Sequence, residues 1–281
     1  MIEAGTVLAV WERAATLVEP ARASALAAAA VRMRTGPSAP GNPDGPDADG
    51  RALRRPAGRS RRIPTGDPGT AAGWALGRRD AALLRLYRAV RGPVVEALAT
   101  CSACDTTLDV RLPVADLLIG YPDPDPDPDG DQDPVGEFDL GGATVRARCP
   151  TTTDLQAVAQ LANADQAAHA LIDRCVQWIH RPGEPAGGLP SMLTPTEREA
   201  LGAALERLDP LVDVRIDIAC GHCGSGWSAL LDVPSLAWAQ VHGRARRLLR
   251  EVDVLAARYG WSEADILGMT QARRDAYLDL D

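Results

Sequence analysis

Two Cys-x-x-Cys pairs, Cys101-Ser-Ala-Cys104 and Cys220-Gly-His-Cys223, constrain this chain more than any other feature. Two thiols three positions apart on a tight turn can both face one ion, and two such turns complete a tetrahedral four-sulfur shell. The pairs are offset by 119 residues, and the same offset aligns the segments downstream of them: Leu112 falls on Leu231, Val114 on Val233 and Leu117 on Leu236. The pattern reads as two halves of one zinc ribbon, separated by a long insertion. Cys101, Cys104, Cys220 and Cys223 are the expected ligands of a structural zinc ion. A catalytic zinc is disfavoured, because four thiolates leave no open position for water or substrate. His222 lies inside the second knuckle; it could substitute as a ligand, but an exposed knuckle side chain is the favoured reading.

The rival chemistry is a cytosolic thiol-redox pair, whose reactive cysteine normally opens a helix after a strand. No proline separates the cysteines here, and Gly224 and Gly226 follow the second pair, which suits a knuckle and a turn. Cys149 and Cys175 have no partner at this spacing and are expected to be small buried hydrophobes. Free thiols arranged for a metal fit a reducing, cytoplasmic location better than a disulfide framework. Met1-Ile2-Glu3 shows no charged leader region. With no apolar run of about 18 residues, a membrane span is not expected.

Composition narrows the partners. The formal charge is 30 − 38 = −8, and every basic residue is Arg. An acidic balance argues against a general nucleic-acid binder, which needs a basic footprint. A zinc-ribbon nucleic-acid adaptor, working through Arg51–Arg62 or Arg244–Arg250, is therefore the weakest of the three readings. With a single Phe, the core must rest on Leu, Val, Ala and six Trp. Residues 35–70, rich in Gly, Pro, Asp and Arg, are predicted to be a disordered insert, because they bury too little apolar area to offset ordering entropy. Residues 121–134 alternate Pro with Asp and are predicted to be an extended loop.

The remaining sequence predicts an α+β fold, mainly helical, with a small antiparallel zinc-ribbon-like β portion built on the two knuckles. Its parts are N-terminal helices in 1–34, the 35–70 insert, a core over 71–259 interrupted by 121–134, and a short helical module in 260–281. Leu8, Trp11, Ala15 and Val18 recur at helical spacing, and 78–91 forms an amphipathic helix ended by Gly92-Pro93. Leu108, Val110 and Leu112 alternate as in a half-buried strand, as do Val212, Val214, Ile216 and Ile218. Residues 137–148 read as a hairpin turning at Gly141-Gly142. A helix is expected from Thr153 to about Ile179, with Leu161 on its buried side, and another opens at the capping box Thr194-Pro-Thr-Glu197. Ser235 is the expected cap of a long helix to Tyr259, closed by Gly260. Ser262 and Thr270 open two short helices.

No Gly-rich phosphate loop, HExxH or GxSxG is present. No carboxylate pair is singled out for acid–base work, so no small-molecule substrate is evident and a non-enzyme is expected.

A wider set of motifs carries a resemblance. These are Gly77-Arg-Arg-Asp80, the first CxxC followed by Leu108-Asp-Val110 and Val114-Ala-Asp-Leu-Leu118, Arg148-Cys-Pro-Thr-Thr-Thr-Asp-Leu155 and Leu171-Ile-Asp-Arg-Cys-Val176. The second CxxC, Arg247-Leu-Leu-Arg-Glu-Val252 and Tyr259-Gly-Trp-Ser-Glu-Ala-Asp-Ile-Leu267 complete the set. Together they resemble the T-even-phage-type baseplate hub and hub-assembly family, in the form carried by phage-like contractile injection clusters. Where that family often has proline after the first cysteine, this chain has Ser102 and Gly221. The resemblance implies a structural component or assembly chaperone whose partners are baseplate hub or wedge proteins, with possible incorporation in a phage-like particle. Tyr259, Trp261 and Tyr277, beside Arg273 and Arg274, are the expected exposed partner surface, since aromatics and Arg anchor interfaces.

Overall fold

A computed structural model describes residues 2–35, 71–121, 133–182 and 193–280. All of the 35–70 insert after Thr35, with its arginine cluster, and most of the 121–134 loop lie outside the described residues. The rest is a mixed fold of helices and small antiparallel sheets, as the sequence implies.

Four helices make the main core. α1 (Ala4–Ala15) buries Val7, Leu8, Val10 and Ala14. α2 (Ala21–Thr35) contributes Ala23, Leu26 and Ala27 to the same core. Its small side chains let it lie close to α3 (Leu76–Arg91), which is buried along nearly its whole first three turns. α8 (Val233–Tyr259) runs 27 residues past α1 and α3 and presents Val233, Ala237, Val241, Ala245 and Leu248 to them. Trp11 Nε1 donates to His242 Nδ1 at 2.9 Å, tying α1 to α8 with a polar contact. Val18, whose spacing places it inward, is instead 74% exposed, because α1 has already ended at Ala15.

Two hairpins hang from this core. β1 (Val94–Thr100) pairs with β2 (Thr107–Pro113), and β6 (Arg215–Ala219) pairs with β7 (Gly226–Leu230). β2, β6 and β7 alternate half-buried and exposed positions, the period-two pattern read from the sequence for Leu108–Leu112 and Ile216–Ile218. Val212 and Val214 lie before β6, Val212 in a 3-10 turn that opens at Pro210. Each hairpin feeds a helix: β2 leads into the short α4 (Val114–Leu117), and β7 into α8. Val114 and Val233, aligned by the 119-residue offset, are 0% and 1% exposed and both join the helical core.

A second lobe is built on the sheet β3–β4–β5, formed by β3 (Val135–Asp139), β4 (Thr144–Arg148) and β5 (Val176–His180). The expected hairpin turn at Gly141-Gly142 is present, with both glycines at positive φ. α5 (Thr152–Val158), α6 (Ala164–Cys175) and α7 (Pro195–Leu208) surround the sheet. The single helix predicted over 153–179 is thus corrected to two helices and a strand. Ile179 and Val176 pack into the core of this lobe across an irregular register, and pairing with the otherwise free edge of β4 outweighs helix continuation. Leu161, between the helices, is 42% exposed rather than buried. Thr151 caps α5, in a reciprocal box with Asp154. Likewise Asp232 rather than Ser235 caps α8, its carboxylate accepting from Ser235 N at 3.0 Å.

Two short helices close the chain, α9 (Glu263–Leu267) and α10 (Gln271–Leu278), folded back on α8. Gly260 ends α8 at φ 70°, where a left-handed residue is required.

Candidate metal centre

The two knuckles are the same structure twice. Cys101 N donates to Thr106 O at 3.0 Å, and Cys220 N to Ser225 O at 2.8 Å. Asp105 N donates to Cys101 O and Gly224 N to Cys220 O, each at 2.9 Å. The residue after the second cysteine takes positive φ in both, 56° at Asp105 and 75° at Gly224. Strand register repeats as well: Ala97 pairs with Val110, and 119 residues on, Ile216 pairs with Ala229. Such a tight turn aims both sulfurs of a pair to the same side.

The four cysteines converge. All four Sγ atoms lie within 4.8 Å of one another. Cys101 Sγ and Cys223 Sγ are 3.7 Å apart, as are Cys104 Sγ and Cys220 Sγ. A tetrahedron with about 2.3 Å metal–sulfur bonds has sulfur–sulfur edges of roughly 3.8 Å. The cluster therefore has the dimensions of a four-thiolate metal site. Cys101 and Cys220 are buried, Cys104 is half-buried and Cys223 is exposed, so the site sits at the rim of the fold.

Electrostatics favour a cation here. The Thr106 hydroxyl and then its backbone amide pull the Cys104 thiol down to about 6. The Ser225 amide acts on Cys223 in the same sense, but hydrogen bonds with Cys104 and the other thiols outweigh it and push Cys223 up to about 12. Four thiols this close cannot all ionise without a positive charge among them. Thiolate donors in a tetrahedral set select zinc or an iron–sulfur cluster over hard cations.

Neither CxxC opens a helix; both sit in hairpin turns, which removes the usual source of a reactive redox thiol. Two sulfur contacts of 3.7 Å run between the pairs, Cys101 to Cys223 and Cys104 to Cys220. His222 is exposed and stands outside the cluster. Cys149 and Cys175 are 1% and 0% exposed, and burial pushes each thiol up to about 12. They behave as the buried hydrophobes expected of them.

The other sequence motifs turn out to brace the fold. In Gly77-Arg-Arg-Asp80, Gly77 N donates to Asp209 Oδ2 at 2.9 Å, and a Cβ on residue 77 would overlap that carboxylate. Tyr121 OH donates to the same Asp209 and accepts from Leu211 N at 3.0 Å. Arg79 pairs with Asp80 at 2.6 Å and reaches Thr152 of the second lobe; burial raises the Asp80 carboxyl to about 6 against the pull of Arg79. In Arg148-Cys-Pro-Thr-Thr-Thr-Asp, Arg148 grips the buried Asp154 through both amino nitrogens, at 2.6 and 3.0 Å. The Gly77–Asp209 and Arg79–Thr152 contacts join the helical core to the sheet lobe, whereas Arg148–Asp154 ties β4 to α5 within that lobe.

The expected partner patch needs correction. Arg274 is 2% exposed: its Nε meets Glu251 Oε2 at 2.9 Å and its Nη1 the Met269 carbonyl at 2.6 Å. It fastens α10 to α8 and is not a surface anchor. Tyr259, Trp261 and Tyr277 are half-buried against one another, with ring centroids 4.5 to 5.6 Å apart. Arg273 is exposed, 5.7 Å from the Tyr277 ring centroid. Helical spacing could not tell these two arginines apart, since they are adjacent on a short helix.

Compared with known protein families, curated proteins and solved structures, the chain matches none. Among the described residues no helix is long and apolar enough to cross a membrane.

Proposed function

We propose that this chain is a non-enzymatic, zinc-stapled structural component or assembly chaperone of a contractile tail or injection-system baseplate. The observation that carries the non-enzymatic half is the four-thiol cluster itself. It draws its ligands from hairpins over a hundred residues apart and, once filled, has no coordination position left for a substrate. Such a site fixes one hairpin against the other and supplies folding energy. Cys101, Cys104, Cys220 and Cys223 hold the zinc; Thr106 and Ser225 orient the outer sulfurs.

The baseplate half rests on the sequence resemblance. The motifs that carry it, Gly77–Asp80, Arg148–Asp154 and Tyr259–Leu267, each brace a separate junction of the fold. The exposed partner surface then consists of Arg273 with the outward edges of Tyr259, Trp261 and Tyr277.

Quantitative mass spectrometry of sheathed particles from the native host, compared with cell lysate, tests the role. A fixed small copy number alongside baseplate subunits establishes a structural component. Recovery only from lysate, bound to unassembled hub or wedge proteins, establishes a chaperone. Absence from both removes the baseplate assignment. Deleting 260–281 also takes Arg274 from Glu251, so Arg273→Glu is the cleaner probe of the surface: loss of co-purification with the fold intact is expected.

A further inference from the structure

The chain carries an arginine-lined cleft that its function as a staple does not use. Arg91 at the end of α3, Arg244 and Arg247 on α8, and Gln271 at the start of α10 line a cavity of about 190 Å³, whose remaining wall is apolar and includes Val7 and Val90. Drug-sized ligands occupy sites of roughly 300–1,000 Å³, so this one suits a single small ion with its waters.

Its charge is unbalanced. Glu96 is shared between Arg91 and Arg111, at 2.8 and 2.7 Å. Glu251 is shared between Arg274 and Arg244, at 2.9 and 3.6 Å. Among the described residues Arg247 has no carboxylate partner; burial first, and Arg247 after it, disfavour the charge on Arg244 against the pull of Glu251. Asp275 is the remaining acid acting on Arg244. Five guanidiniums, Arg91, Arg111, Arg244, Arg247 and Arg274, thus meet three carboxylates, in a protein whose overall charge is −8. Arg244 is also held in place: its side chain is 15% exposed and Nη2 donates to Gln271 Oε1 at 3.0 Å, leaving the Gln271 amide N–H groups as donors.

We infer that this cleft binds a phosphate group, as inorganic phosphate or a small phosphomonoester. Planar guanidiniums on different helices offer the paired N–H donors that phosphate oxygens accept. A bound dianion would cancel the excess charge and bridge α3, α8 and α10.

Isothermal titration with inorganic phosphate at constant ionic strength, and with phosphoserine, tests this on the full chain. Saturable binding is expected, weakened about tenfold or more by Arg247→Ala through loss of a charge-assisted contact. Arg247 is exposed, so its variant should fold; circular dichroism checks that. Arg250→Ala, one turn along α8 and outside the cleft, should bind as the wild type does. Tighter binding of phosphoserine than of phosphate identifies a monoester as the preferred form. No saturable binding of either, or binding indifferent to Arg247→Ala, overturns the inference. So does binding of a single-stranded oligonucleotide where both small probes fail.

Discussion

The two cysteine-bearing halves are alike up to the end of their hairpins and then part company. In the first, β1, the Cys101–Cys104 knuckle and β2 lead to α4, a helix of four residues. In the second, β6, the Cys220–Cys223 knuckle and β7 lead to α8, a helix of 27. Strand register, knuckle hydrogen bonds and the buried valine that starts each helix repeat across the offset. The difference teaches which part of the unit the cysteine cluster requires. The hairpin and its first buried residue recur; helix length is free to serve other needs. α8 spends its length on packing α1 and α3 and on seating α9 and α10.

Metal removal breaks both halves together if they share one ion. Cys104→Ser and Cys223→Ser should each lose the metal and cause unfolding, since structural zinc contributes on the order of 10–16 kcal/mol in zinc-finger peptides. Thermal melts of the two variants and of chelated wild type should coincide. A variant that keeps its metal would separate the halves.

The far end of α8 has no counterpart in the first half, so it should fail alone. Arg274→Met leaves Glu251 buried without that partner and should cost about 3–5 kcal/mol. Hydrogen exchange should rise over residues 260–280, with the hairpins still protected and the metal still bound.

The paired valines sharpen the likeness. Val114→Ala and Val233→Ala each open a cavity in the same core and should cost about 2 kcal/mol apiece in chemical denaturation. Clearly unequal costs would mean that α4 and α8 are not equivalent supports.

The smallest effect lies at the positive-φ position of the knuckle, where the halves carry different residues. Asp105 sits at φ 56°, where Gly224 sits at 75°. Asp105→Gly should be neutral or stabilising by up to about 1 kcal/mol, and Gly224→Ala destabilising by about 1–2 kcal/mol. Melting temperatures read both signs.

Much of this was legible in the sequence because it is written in local spacing. CxxC pairs, alternating Leu108-x-Val110-x-Leu112 and the Thr194–Glu197 box each specify a turn, a strand or a cap within a few residues. The 119-residue repeat placed the four cysteines together because the same register was implied twice. What failed depends on distant partners. β5 becomes a strand only because β4 offers it an edge, and Arg274 goes inward only because Glu251 waits on α8. The arginine cleft was equally hidden: its lining brings residue 91 together with residues 244 and 247, which lie far from it in the sequence.

X-ray absorption at the zinc edge, with metal quantitation on protein purified under reducing conditions, tests the shared site most directly. The expected result is one zinc per chain, bound by four sulfurs at about 2.3 Å. Two ions per chain, nitrogen or oxygen in the first coordination sphere, or metal-free folded protein would contradict it.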